Sequence, residues 1–266
     1  MDILKKIKNL NKGIAVLIDP DKFGQNTTLD NFLDKIKFAK PDMVFIGGSY
    51  VSKKDFETCV RKTRNKLDLP IVLFPGASHH LSKDADALLF LSLISGRNPD
   101  FLIEQHVKAV DELENLNIDV IPTSYLLIDG GKMTAVEYVS RTTPIPQDAT
   151  SNARKTAIAG KYLGHKLIYA DAGSGAVQPV NMEMIRSLAS IGSPLIIGGG
   201  LKTISAIEDA HENGANLVVI GNKIEQDVDF LLDLKSYQKY AFKLRSRLLT
   251  ECVNAPIEIK STPVSA

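Results

Sequence analysis

Apolar residues in this chain gather in eight short, strand-like runs, each ended by glycine, proline or charged residues. They are Gly13–Ile18, Met43–Ile46, Pro70–Phe74, Leu88–Leu91, Ile118–Ile121, Leu167–Asp171, Pro194–Ile197 and Leu217–Ile220. The runs are continuous rather than alternating, the pattern of strands covered on both faces. Between most of them, apolar positions recur at helical spacing. Those segments are Leu29–Ala39, Ser52–Leu67, Pro99–Leu116, Asp148–Leu163, Asn181–Ile191, Ile204–Asn213 and Asp227–Leu249. Asp2–Leu10 puts Ile3, Leu4, Ile7 and Leu10 on one face, which predicts a short helix plugging the bottom of the fold. Strand and helix alternating eight times predict a parallel sheet closed into a single TIM-type (β/α)8 barrel.

Two stretches break the alternation. Only Ala77–Ala85 separates the third run from the fourth, and a crossover with a full helix needs a dozen or more residues. The third helix is therefore expected to be replaced by an extended or irregular segment, which carries His79 and His80. Pro122–Gln147 is read as a long non-helical excursion after a fifth strand ending at Ile121, and loops of that size are usually functional. Asn254–Ala266 is read as a loose tail.

The length of 266 residues suits one barrel, and 44% hydrophobic content supports a real core. With 32 basic and 31 acidic residues, the net charge of +1 gives no case for nucleic acid as a partner. Cys59 and Cys252 at their spacing build neither a disulfide framework nor a zinc site, which makes a cytoplasmic location the default. Met1–Lys12 is too charged for a signal peptide, and no apolar run approaches the ~18 residues of a membrane span.

The candidate chemistry centres on Lys166–Asn222. Three of the runs there end in glycine: at Ala172-Gly173-Ser174-Gly175, at Gly198-Gly199-Gly200 and at Gly221-Asn222. Glycine turns let backbone N–H groups converge on one point, a cradle for phosphate. The last two follow strands seven and eight, where barrels commonly hold phosphate. Asp19, at the end of strand one beside Asp21, and Ser49, after strand two, offer oxygens for Mg²⁺. Asp171 could take a proton from a substrate hydroxyl. Structural roles compete with each: tight turns for the glycines, caps for the aspartates. His79, His80, Arg97 and Arg141 fall in expected loops, where such residues are usually solvated.

Several motifs together resemble the geranylgeranylglyceryl phosphate synthase family. They are Gly13–Lys22 (GIAVLIDPDK), Gly47-Gly48-Ser49, Ser124–Gly131 (SYLLIDGG), Tyr138–Pro146 (YVSRTTPIP), Tyr169–Ala176 (YADAGSGA), Ile196–Leu201 (IIGGGL) and Gly221-Asn222. The resemblance spans nearly the whole chain, and that family's modified barrel also lacks the third helix. It implies a Mg²⁺-dependent prenyltransferase joining the 3-hydroxyl of sn-glycerol 1-phosphate to C1 of geranylgeranyl diphosphate, releasing diphosphate. By matching motif, Asp19 and Ser49 would bind Mg²⁺. Tyr169, Ala170, Asp171, Ala172, Gly173, Ser174, Gly175, Gly199, Gly200, Gly221 and Asn222 would bind glycerol phosphate. Tyr125 would lie beside the reacting groups, with Asp171 as the base. Two positions depart from the pattern: Asp171 stands where Glu is common, and Leu17 stands where smaller relatives carry Lys, as in the longer forms.

The resemblance further implies a polyprenyl diphosphate as partner, C20 favoured, and a homo-oligomer. A lipid product leaves loose membrane association open. The prenyl groove is expected from the segment replacing helix three, from Phe90–Ile94 and from the loop around Tyr138–Pro146. Two alternatives stay open: another phosphate-barrel enzyme of the sugar-phosphate isomerase type, and a non-catalytic phosphate-binding barrel.

Overall fold

A computed structural model describes residues 2–22, 26–48 and 51–240. Eight strands pair in chain order, all parallel, and strand eight closes on strand one. They are β1 (Gly13–Ile18), β2 (Met43–Ile46), β3 (Ile71–Leu73), β4 (Ala87–Leu93), β5 (Asp119–Leu127), β6 (Leu167–Asp171), β7 (Leu195–Gly198) and β8 (Leu217–Ile220).

Each strand sends alternate residues to opposite faces, and this sorts the continuous apolar runs into two packed layers. Ala15, Phe45, Val72, Leu89, Tyr125, Tyr169, Ile196 and Val219 fill the barrel interior. Ile14, Val16, Val44, Leu88, Ile168, Ile197 and Val218 face outward against the helices. Helix α1 (Ile3–Asn9) sends Ile3 and Ile7 into the interior layer, as the plug expected from its period. Asp2 caps it by accepting from the Lys5 N–H at 2.8 Å.

No helix joins β3 to β4, as the short spacing requires. Here His80 is buried, not a solvated loop residue. Its Nδ1 accepts from the Gly76 N–H at 3.1 Å, its Nε2 lies 3.0 Å from the Val51 carbonyl, and its ring stacks on Phe56. Side-chain hydrogen bonds thus tie down the segment in place of a helix.

Four sequence expectations need correction. Strand five does not stop at Ile121: it runs through Pro122 to Leu127, and Pro122 loses only the N–H, its carbonyl still accepting from Lys166 at 2.8 Å. The excursion after it holds a short helix, α5 (Ala135–Ser140), capped by Thr134. The final helix, expected from Asp227, is preceded by a turn of helix at Asn222–Gln226 and is helical over residues 230–240. Its remainder and the expected tail lie outside the described residues. Asp100–Glu104, ahead of α4 (Gln105–Leu113), has π-helical geometry within a segment expected to be a plain helix.

Candidate active site

A cleft of about 760 Å³ opens at the carboxyl ends of the strands, within the size range of small-molecule sites. One end is polar and is lined by Ser174, Gly175, Gly199, Gly200, Gly221 and Asn222. The other is apolar, with Leu81, Leu88, Phe90, Leu91, Phe101 and Val139 among its walls. All three segments expected to form a groove contribute to it. Asp171, Tyr125 and Tyr169 lie between the two ends.

Strand period decides which residues of Tyr169–Gly175 reach the cleft. Tyr169 and Asp171 face it, whereas Ala170 and Ala172 point to the outer layer and are buried there. Ala172 spends its N–H on the Gly198 carbonyl at 3.0 Å, and Gly173 donates its own to Asp171 Oδ1 at 2.8 Å. Neither N–H is free for a ligand. Gly175 likewise donates its N–H to Asn222 Oδ1 at 2.8 Å, so the expected anion contacts narrow to Ser174 and the turns after β7 and β8. Gly199 has φ +76°, and a Cβ there would sit 2.6 Å from Asp171 Oδ1 and from the Gly173 nitrogen. Only glycine lets the two turns meet. Thr203 caps helix α8 (Ile204–Glu212) directly after the β7 turn, accepting from Ala206 at 3.2 Å.

Asp171 is buried and hydrogen-bonded on both oxygens. Tyr125 Oη donates to Oδ2 at 2.6 Å, opposite the Gly173 bond to Oδ1. Burial pushes the carboxyl above the usual range, while the Tyr125 and Gly173 hydrogen bonds pull it back. The same burial, followed by the Asp171 charge, holds the Tyr125 phenol protonated and donating. The arrangement is a buried carboxylate whose orientation is fixed by a neutral tyrosine, a geometry suited to accepting a proton. Below it lies an aromatic floor that sequence reasoning missed. Phe74 stacks on Tyr169 at 5.0 Å and approaches Tyr125 at 6.0 Å. Phe74 gave no signal beyond its place at a strand end.

Asp19 ends β1 on the same rim. Burial raises its carboxyl, and its nearest opposite charge is Lys22 Nζ at 3.8 Å. Gly48 abuts it so closely that a Cβ would come within 2.5 Å of Oδ1. A half-buried, poorly neutralised carboxylate facing bare backbone fits an oxygen ligand for a hard cation. Among the described residues, no group of three or more His, Cys, Asp or Glu forms a complete metal cage. Ser49 lies outside the described residues. Leu17 lines the cleft beneath Gly221.

The other loop candidates stay out of the cleft. Arg97 donates to the Ile94 and Gly96 carbonyls at 3.2 and 2.6 Å. Arg141 ends α5 in the left-handed region, exposed to solvent and outside the lining of the cleft. His79 packs edge-on against His80.

A glycine-turn cradle, a buried carboxylate and an apolar groove on a (β/α)8 barrel suit an enzyme that joins a phosphorylated substrate to an apolar one. Residues 6–237 match the model of the PcrB family, and the chain belongs to it. It is 44% identical to a geranylgeranylglyceryl phosphate synthase of Zunongwangia profunda, over 85% of this chain and 96% of that relative. It is 35% identical to one of Methanopyrus kandleri, over 82% and 90%. Its structure matches that of (S)-3-O-geranylgeranylglyceryl phosphate synthase from Thermoplasma acidophilum in complex with the substrate sn-glycerol-1-phosphate. The TM-score is 0.81 at 30% identity, covering 88% of this chain and 94% of that one.

Proposed function

We propose that this chain transfers a geranylgeranyl group from its diphosphate to the 3-hydroxyl of sn-glycerol 1-phosphate. One observation carries the reading: the Tyr125–Asp171 pair lies in a single cleft between a phosphate cradle and an apolar groove. The cradle holds the glycerol phosphate with its hydroxyl toward Asp171. The prenyl chain lies along Leu81, Leu88 and Phe101, bringing its C1 over Tyr125 and Tyr169. The bond from C1 to the diphosphate oxygen breaks, the ether bond from C1 to the glycerol oxygen forms, and Asp171 takes the hydroxyl proton. Positive charge building at the allylic carbon faces the rings of Phe74, Tyr125 and Tyr169, whose π-faces favour a cation. Fixing both partners in one cleft accounts for much of the expected acceleration.

Mg²⁺ held by Asp19, with Ser49 by resemblance, would neutralise charge developing on the departing diphosphate. The expected homo-oligomer draws support from exposed Ile103, Val107 and Val110, spaced along one helical face. No helix among the described residues is long and apolar enough to cross a membrane.

The test is product analysis with labelled glycerol 1-phosphate and C15, C20 and C35 diphosphates, with and without Mg²⁺. An organic-extractable ether, most abundant with C20, is the expected result. No extractable product at any chain length would remove the prenyltransferase reading. A sugar-phosphate isomerase would call for a small closed polar pocket, which the apolar half of this cleft is not.

A further inference from the structure

A chain of polar contacts crosses the mouth of the cleft and links its two substrate ends. It starts at Asp19, whose Oδ2 lies 3.8 Å from Lys22 Nζ. The ammonium is paired with Glu225 Oε2. That same oxygen accepts from Asn222 Nδ2 at 3.3 Å. The other end of the Asn222 amide, Oδ1, accepts from the Gly175 N–H at 2.8 Å and from Ser174 Oγ at 2.9 Å. The contacts join the loops after β1, β8 and β6, and every member lines the cleft.

Glu225 is the odd member. Its side chain is only 10% exposed and stands directly behind a cradle built for an anion. A bare carboxylate there would repel the phosphate. Lys22 neutralises it, and the carboxylate fixes the Asn222 amide with its nitrogen on Glu225 and its oxygen on the cradle. Asp19 competes for the same ammonium from the other side.

We propose that Lys22 and Glu225 are positioning residues that couple the two substrate subsites. A cation arriving at Asp19 neutralises the carboxylate that shares the Lys22 ammonium and leaves its charge to Glu225 alone. That screens the carboxylate behind the cradle, so glycerol phosphate binds more tightly; by linkage, bound glycerol phosphate favours the cation. This rests on the substrates proposed above.

The experiment measures glycerol 1-phosphate affinity calorimetrically, without metal, for the full chain and for variants whose unfolding temperature is checked. Lys22→Met leaves Glu225 bare and is expected to weaken binding about tenfold, a usual size for coupling between sites. Lys22→Arg keeps the charge and is expected to bind like the parent. The double variant Lys22→Met with Glu225→Gln removes both charges and is expected to return affinity to within about threefold. With the parent chain, adding Mg²⁺ is expected to tighten binding, and with the double variant to leave it unchanged. Parent-like affinity for Lys22→Met overturns the proposal. So does a double variant as weak as Lys22→Met, which would make Lys22 a direct phosphate ligand or a packing element. A parent chain that binds neither glycerol 1-phosphate nor inorganic phosphate overturns the substrate reading together with the coupling.

Discussion

Tyr125→Phe isolates one hydrogen bond of the reacting centre. The ring stays, so the aromatic floor with Phe74 and Tyr169 and the inner packing of the barrel are preserved. What is lost is the Oη donor 2.6 Å from Asp171 Oδ2. That donor acts on a carboxyl already pushed upward by burial, and it opposes the push. A hydrogen bond to a charged group is worth about 1.5–3 kcal/mol, all of it favouring the ionised form. Removing it raises the folded Asp171 further, so the acid limb of the pH–rate profile moves to higher pH. Well below the limb, kcat/KM should fall about ten- to a hundredfold, the same free energy read as a rate. Well above it, where Asp171 ionises in both proteins, the variant should recover most of the parent rate. The assay is kcat/KM for prenyl transfer across pH, with unfolding temperature as a control. An acid limb that stays in place while the rate falls equally at every pH would refute the reasoning: Tyr125 would then orient a substrate rather than hold a base.

Asp19→Asn keeps the side chain's shape and removes its charge; the expected loss in transfer rate is about a hundredfold or more, with much weaker Mn²⁺ binding by electron paramagnetic resonance, and unchanged Mn²⁺ binding would clear Asp19 of the role. Gly199→Ala places a Cβ 2.6 Å from Asp171 Oδ1 in a backbone held at φ +76°; strain of about 1–2 kcal/mol plus the clash should raise KM for glycerol 1-phosphate far more than KM for the prenyl diphosphate. His211 is buried between the Gly13 carbonyl and Tyr237 Oη, each at 2.9 Å, and burial lowers it to about 4 from the ordinary 6.5. The unfolded chain takes up this proton between pH 6.5 and 4 while the folded chain refuses it, so stability is full above 6.5 and falls by about 3 kcal/mol on the way to 4; a His211 NMR resonance titrating near 6.5 in the folded protein would contradict this.

How much of the molecule was legible in the sequence follows from which physical signals are local. Apolar runs and helical periods are set by neighbours in the chain, and they placed seven strands closely, together with the α1 plug. Glycine clusters at strand ends mark backbone that must approach closely, so the meeting of the glycine turns was legible as well. The missing helix was readable from spacing alone. Strand five was misread because Pro122 is a local breaker, yet parallel neighbours on both sides carry the strand through it.

The tertiary structure alone decided what the side chains do for one another. Nothing near Tyr125 in sequence shows that it meets Asp171, which is 46 positions away; adjacent barrel strands in register put them there. The two-residue period of β6 turned Tyr169 and Asp171 into the cleft and Ala170 and Ala172 away from it, so half of an equally promising motif became packing. Lys22 and Glu225, 203 positions apart, meet only because closure brings the loops after β1 and β8 together. The glycine-ended strands of Lys166–Asn222 thus marked a candidate anion site from sequence. Barrel closure set a buried carboxylate beside that site, an apolar groove beyond it and a charge pair across its mouth, because closing a sheet makes neighbours of residues that chain order keeps apart.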